Sequence, residues 1–295
     1  MRVLVLEGGD SPEREISLRS AQAVVQALQQ LGHQVERYDP AHGLDGLKNY
    51  QHVDVTLPIL HGPGGEDGTV QTRLEALGMP FLGSGSEASR LCMDKHATKQ
   101  AIAQLGYNVP AGHVVDAQSM ANASTDAPFV LKPLDSGSSV DTYIVRQPQA
   151  TQLDFEDIFS RHATMLLEEL IDGTEITVTV LGGVALPVIE IIPPVGEEFD
   201  YDNKYSGRTQ ELCPPQHVTQ STQQHAQTMA EHIHRGLNLR HLSRTDMIVT
   251  DDELYVLEVN TIPGLTEVSL VPLAAQTAGM TMDQLIQRLV DLAVE

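Results

Sequence analysis

The sequence predicts a mixed α/β and α+β architecture, parallel-sheeted near its N-terminus and strand-rich in its second half. In the first third, short apolar runs alternate with an amphipathic stretch. A middle unit carries a strand that ends in Lys132 before a Gly/Ser turn, and from Thr174 onward β-rich runs dominate. The 295 residues are too many for one small core and suit two or three lobes of roughly 100 residues each, with room for a cleft between them.

Val3 to Leu6 reads as a buried strand and Ser17 to Leu31 as an amphipathic helix stopped by Gly32. Gln34 to Tyr38 and Val53 to Leu60 are the next two strands, and strand, helix, strand in this order calls for a parallel sheet. The Gly8-Gly9 turn follows the first strand but lacks the G-x-G-x-x-G spacing of a dinucleotide site, so it reads as a substrate loop. The second unit opens near Met93 with the helical run MDKHATKQAIAQL. It continues through the strand PFVLKP, the Gly/Ser turn, the strand TYIVR, a helix near 149–162 and the strand TMLLEEL. EITVTVLGG and ALPVIEII follow as strands, then a polar Pro/Gly/Tyr loop, a helix near 219–236, two more strands and C-terminal helices.

Acidic residues outnumber basic ones 40 to 18, and the formal charge is -22, so there is no basic footprint for a nucleic acid backbone. Any bound phosphate must be met by a few gathered Lys and Arg, with a metal. Cys92 and Cys213 have neither disulfide-framework nor zinc spacing, which fits a reducing compartment. No run approaches the ~18 apolar residues of a membrane span, and a cytoplasmic protein without membrane partners is expected.

The most informative stretch is LSRTDMIVTDDELYVLEVNT, Leu242 to Thr261, where two β-rich runs flank an acidic turn and predict an antiparallel hairpin centred near residue 252. That centre sets Asp246 opposite Glu258 and Arg244 opposite Asn260. Side chains alternate with period 2, so these four share one polar face, while Met247, Val249, Tyr255, Leu257 and Val259 are expected on the core face. Two carboxylates and an amide oxygen suit Mg2+, a hard cation that keeps positions open for water and phosphate oxygens. Lys95 and Lys132 are the candidate triphosphate cations, with Gly137 permitting close approach in the turn DSGSS.

Nine segments in order resemble the D-alanine–D-alanine ligase family of the ATP-grasp superfamily. They are GGDSPEREISL, LHGPGGEDG, GSGSEASRLCMDKHATK, VLKPLDSGSSV, EELIDGTEITVTVLG, FDYDNKY, RTDM, LEVNTIPGLTEVSLVPLAA and AGMTMDQL. The resemblance implies a three-lobed ATP-grasp fold with nucleotide between the central and C-terminal lobes. Its lobes would be a substrate domain at 1–83, a central lobe at 84–167 and a catalytic lobe at 168–295. It implies that Lys95, Lys132, Ser138, Ser139, Glu168, Glu175 and Lys204 hold ATP, with the backbone of Glu169 and Ile171 at the adenine edge. Asp246, Glu258 and Asn260 would ligate two Mg2+ ions, or Mn2+ in their place.

For the substrates, the resemblance puts Glu13 on the ammonium of the first D-alanine, in a network with Ser138 and Tyr205, and His61 nearby. Arg244 and the Gly264 N–H would stabilise the tetrahedral oxyanion, and Ser269 and Leu270 would receive the second carboxylate. The implied reaction is phosphorylation of one D-alanine, then attack by the amine of a second, in a homodimeric enzyme of peptidoglycan precursor synthesis. D-Serine or D-lactate as second substrate is the alternative, against which the Lys204-Tyr205 pair argues. One departure stands out: where the family reads Glu-Gly-Ser-Ser-Val-Gly, this chain has Ser136 first and Asp141 last. An acid beside a triphosphate would repel it and leave only a weak nucleotide binder, so Asp141 is expected to point away, toward solvent or a cation.

Overall fold

A computed structural model describes residues 1–123, 126–137, 140–149, 153–194, 208–251 and 253–295. Ser138, Ser139, Lys204 and Tyr205 lie outside these. The first sheet is parallel, as the β-α-β pattern requires: β1 (Arg2–Leu6) lies between β2 (Gln34–Tyr38) and β3 (Val55–Pro58). Helix α1 (Arg14–Gln30) buries Ile16, Ala21, Val24, Val25 and Leu28 and ends before Gly32, whose φ of 80° suits a residue without a Cβ. It starts earlier than the apolar periodicity suggests, because Glu13 takes the N-cap position. The short α2 (Thr69–Ala76) is an addition to the expected elements; only Val70, Gln71 and Leu74 of it are buried, too few to leave a periodic signal.

The helical run near Met93 is two helices. Asp94 is extended (φ -80°, ψ 102°) between α3 (Ser86–Met93) and α4 (Lys95–Gln104), and its carboxylate accepts the Ala97 N–H at 2.9 Å. This break sets Lys95 at the first position of α4. A four-stranded antiparallel sheet follows, ordered β4 (Gly112–Val115), β7 (Met165–Glu169), β5 (Phe129–Pro133), β6 (Tyr143–Val145). With α5 (Ala117–Ala121) and α6 (Phe155–Arg161) it encloses its own core around Val115, Met120, Leu131, Ile158 and Met165. Position 167/168 falls inside β7, all of whose residues pair within this sheet.

The largest sheet is antiparallel and six-stranded: β11 (Gln210–Leu212), β10 (Ile189–Ile192), β8 (Thr174–Leu181), β12 (Leu242–Val249) and β13 (Leu254–Asn260) in order, with β9 (Val184–Ala185) on β8. Helix α7 (Gln220–Gly236) packs on it together with α3 and α4, through Ala88, Ile102, Met229 and Ile233. The C-terminal helices α8 (Leu270–Thr277) and α9 (Met282–Val294) instead share a core with the first sheet, where Val3, Val5, Val24 and Leu57 meet Val271, Leu285 and Leu289. Among the described residues no helix is long and apolar enough to cross a membrane.

The β12–β13 hairpin has the register the sequence predicts at its far end, with Asp246 opposite Glu258 and Arg244 opposite Asn260. Nearer the turn the register changes: Met247 faces Val256, Ile248 faces Tyr255 and Val249 faces Leu254, leaving Leu257 as an extra residue in a β-bulge. The expectation that Tyr255 and Leu257 lie on the core face is therefore wrong. One inserted residue reverses the alternation, so Leu254 and Val256 are buried in the core while Tyr255 and Leu257 are half-buried.

Candidate active site

A cavity of about 480 Å³, a size suited to a small-molecule ligand, opens between the four-stranded sheet and the large sheet. Val130, Ile144, Ile248 and Leu257 give it apolar walls; Ile248 shares the face of Asp246 by the ordinary alternation of its strand, and Leu257 reaches the cavity because of the bulge. The β7–β8 segment Glu168–Glu175 forms one side, and Lys95, Lys132, Asp246 and Glu258 gather at the polar end. Glu169 donates its N–H to the Ala111 carbonyl at 2.9 Å, so a contact from its backbone to a base edge would use the carbonyl. Its carboxylate accepts the Ala111 N–H instead of facing the cavity alone. Ile171 and Glu175 also line the space.

The cations at the polar end are buried and paired. Lys95 Nζ donates to the Ser136 carbonyl, which ties the start of α4 to the turn after β5. Glu168 bridges two lysines, at 2.8 Å from Lys132 and 2.5 Å from Lys99. Burial alone would raise the Glu168 carboxyl, but Lys132 and Lys99 hold it below the usual range. Burial, with the charge of Lys132, pushes the Lys99 ammonium down to about 7. Lys99 was not among the expected site residues, although it follows Lys95 by one helical turn and so lies on the same face of α4.

The carboxylate of Asp246 is the most heavily engaged group. It accepts from Arg244 at 2.8 and 2.9 Å, from Thr177 Oγ1 at 2.5 Å and from Asn260 Nδ2 at 3.1 Å. Burial disfavours the Arg244 charge, yet Asp246 and Glu258 raise its pKa, so it stays ionised. Asn260 donates its amide N–H to Asp246, which leaves its amide oxygen as the atom that could meet a cation. Asp246, Glu258 and Asn260 thus form an oxygen-only donor set beside the two lysines, which fits Mg2+ better than zinc. Among the described residues no group of three or more His, Cys, Asp and Glu side chains could hold a metal.

At the junction with the first sheet, Glu13 is 6% exposed and its carboxylate is enclosed by two glycines: a Cβ at either Gly62 or Gly137 would fall 2.5 Å from Oε2. His61 is buried, with Nε2 3.4 Å from Ser20 Oγ and a hydrogen bond to the Ile262 backbone; burial pushes it down to about 4, so it is neutral at neutral pH. Gly264 and Ser269 are neighbours, a Cβ at 264 falling 2.9 Å from Ser269 Oγ. Ser269 is the N-cap of α8, Leu270 its first residue, and the Ser269 hydroxyl contacts Thr266 Oγ1 at 2.7 Å.

Glu66 was also missed. It lines a water-sized cavity of about 30 Å³ with Lys95, Gly137, Glu258 and Asn260, and it accepts the Gly62 N–H at 2.8 Å. Burial, reinforced by Glu13, pushes it up to about 8. Its signal lay in the LHGPGGEDG motif, but apart from Gly62 the groups around it, Glu13 and Ile262, are far away in sequence. Asp141 does not line the main cavity; its carboxylate is taken by Arg161 and by His162 at 2.6 Å, as the expectation of a nearby cation requires.

A nucleotide-sized cleft between two antiparallel sheets, with paired lysines facing two carboxylates on a hairpin, is the architecture of the ATP-grasp enzymes. Residues 33–84 match the family model of the D-Ala D-Ala ligase N-terminus and residues 110–291 that of its C-terminus. The D-alanine–D-alanine ligase of Syntrophobacter fumaroxidans is 41% identical over 100% of this chain and 98% of its own length. That of Desulforudis audaxviator is 41% identical over 100% and 99%. The crystal structure of D-alanine–D-alanine ligase from Bacillus anthracis complexed with ATP superposes with a TM-score of 0.84 at 27% identity, covering 100% of this chain and 97% of that one. The chain belongs to the D-alanine–D-alanine ligase family.

Proposed function

We propose that this chain joins two D-alanine molecules into D-alanyl-D-alanine, converting ATP to ADP and phosphate, as a cytoplasmic homodimer that supplies a peptidoglycan precursor. The observation that carries the reading is the pairing of Asp246 with Glu258 across the hairpin, opposite Lys95 and Lys132 in one cavity that ends beside the enclosed carboxylate of Glu13. On this reading phosphate chemistry and a carboxylate suited to an ammonium adjoin one another.

Lys95 and Lys132 hold the triphosphate, Lys132 braced by Glu168, while Val130, Ile144, Ile248 and Leu257 take the base, with Glu175 on the ribose side and the backbone of Glu169 and Ile171 at the adenine edge. Mg2+, bound at Asp246, Glu258 and Asn260 as two ions and replaceable by Mn2+, supplies charge neutralisation for phosphate oxygens. Glu13 binds the ammonium of the first D-alanine and His61, neutral, borders it. The carboxylate of that D-alanine takes the terminal phosphoryl group, the bond to the bridging oxygen of ADP breaks, and an acyl phosphate results. The amine of the second D-alanine attacks the acyl carbon, phosphate leaves and the amine sheds a proton. Arg244 and the Gly264 N–H meet the oxyanion, and Ser269 with the Leu270 end of α8 meets the second carboxylate. Ser138, Ser139, Lys204 and Tyr205 complete the proposal from sequence, and the Lys204-Tyr205 pair favours D-alanine over D-serine or D-lactate as second substrate. The weak-binder alternative loses its motive, because the Asp141 charge is neutralised away from the cavity.

The test is phosphate release when D-alanine is added to protein, Mg2+ and ATP, with D-lactate offered in parallel. Glu258→Gln should cut the rate at least ~10-fold without loss of fold. No D-alanine-dependent phosphate from the parent protein would overturn the assignment.

A further inference from the structure

Asp141 has a left-handed backbone, φ 55°, a conformation that glycine adopts freely and an aspartate adopts at some cost. Its side chain is held from three sides. Arg161 and His162 donate to its two carboxylate oxygens, the latter at 2.6 Å, and Tyr143 OH donates to Oδ1 at 3.2 Å. Arg161 also donates to Tyr143 OH at 2.9 Å and to Asp157 at 3.1 Å, so Asp141, Arg161 and Tyr143 form a closed triangle to which His162 and Asp157 are attached. Burial would raise the Asp141 carboxyl, but His162 and Arg161 keep it below its usual range. Arg161 is the last residue of α6 and His162 its C-cap, where the negative end of the helix dipole already favours cations. Meanwhile Ser136 and Thr142, on either side of the turn, line the nucleotide cavity, and the Ser136 carbonyl accepts from Lys95.

We propose that Asp141 is a positioning residue for ATP, a side-chain tie that fastens the backbone of residues 140–142 to the end of α6 and so holds Thr142 at the wall of the nucleotide cavity, together with Ser136, whose hydroxyl donates to the Val140 carbonyl. The tie fixes this stretch of wall before nucleotide enters, which lowers the entropic cost of binding. Neither Arg161 nor His162 lines the cavity; His162 acts through Asp141, and Arg161 through Asp141 and Tyr143.

This inference rests on the reading of the cavity as an ATP site, and the test separates the two. In ATP-free protein, amide exchange at Thr142 and Tyr143 should speed up in Asp141→Gly, which keeps a permitted backbone, and in Arg161→Met. In turnover, each variant should raise the ATP KM roughly tenfold, with kcat and the D-alanine KM close to parental. The double variant should be no worse than either single one, as for partners in one network. Asp141→Asn, which retains an acceptor, should recover part of the loss. Faster exchange with unchanged ATP KM would overturn the positioning role, and so would effects of the two substitutions that multiply. A fall in ATP KM on Asp141→Gly would instead show a carboxylate repelling the nucleotide. A parent protein without D-alanine-dependent turnover would sink the ligase reading, and unchanged exchange in the variants would sink the tie itself.

Discussion

Replacing Gly137 by alanine should damage the first D-alanine site without replacing Glu13, the residue placed on the substrate. The added Cβ would stand 2.5 Å from Glu13 Oε2 and 3.1 Å from both Cδ and Oε1. The carboxylate has little room on its other side, since a Cβ at Gly62 would meet the same oxygen at the same distance. Gly137 has no positive φ, so alanine there brings no backbone strain to confuse the result. To reach ordinary contact at 3.4 Å the Glu13 oxygen must retreat by about 0.9 Å, enough to stretch a charge-assisted hydrogen bond of ~2.8 Å beyond its useful range. Losing such a bond costs ~1.5–3 kcal/mol, a ~10- to 100-fold fall in kcat/KM for D-alanine at the first site. Initial-rate kinetics against D-alanine and ATP measure this, with a melting curve as control and Glu13→Gln as the matched variant. D-Alanine kinetics equal to the parent's, in a folded Gly137→Ala protein, would refute the placement of Glu13 on the substrate ammonium.

Lys99→Met should leave Glu168 buried with Lys132 alone and destabilise the fold by about 3 kcal/mol, the low end for a broken buried pair because one partner remains. Urea denaturation reads this, and a loss under about 1 kcal/mol would count against the ion pair. His234, buried with Nδ1 2.7 Å from Ser243 Oγ and pushed down to about 4 by burial and Arg235, is neutral in the folded chain, whereas the unfolded chain takes up its proton below about 6.5. Its contribution is therefore intact above pH ~6.5 and lost as pH falls toward ~4, so His234→Gln should flatten the stability curve between pH 7 and 5 by ~2 kcal/mol. Parallel curves for parent and variant would show the histidine does not titrate this way.

Legibility in the sequence followed how local the determining contacts are. The hairpin pairs Arg244–Asn260 and Asp246–Glu258 could be read because a short acidic turn fixes a centre and polar residues mark one face. The same counting by twos failed at Tyr255 and Leu257, since a bulge leaves no compositional mark when the inserted residue is as apolar as its neighbours. The break at Asp94 was legible in principle: an Asp whose side chain can reach the third residue beyond is a helix cap, but apolar periodicity continued across it. Glu66 could not have been singled out by local rules, because the Gly62 loop, Glu13 and Ile262 surround it only after the lobes assemble.

The extra residue at Leu257 changes how densely one strand can furnish a site. On a regular strand, side chains of the same face recur only at every second position, ~7 Å apart, so a base-sized wall and a metal ligand compete for slots. The bulge lets Leu257 and Glu258 enter the cavity as immediate neighbours, while Val256 and Val259 on either side stay in the core. Nothing in the ladder itself depends on Leu257, since Met247 pairs with Val256 and Asp246 with Glu258 on either side of it. Its side chain has no partner across the ladder, and so its identity answers to the cavity rather than to the sheet.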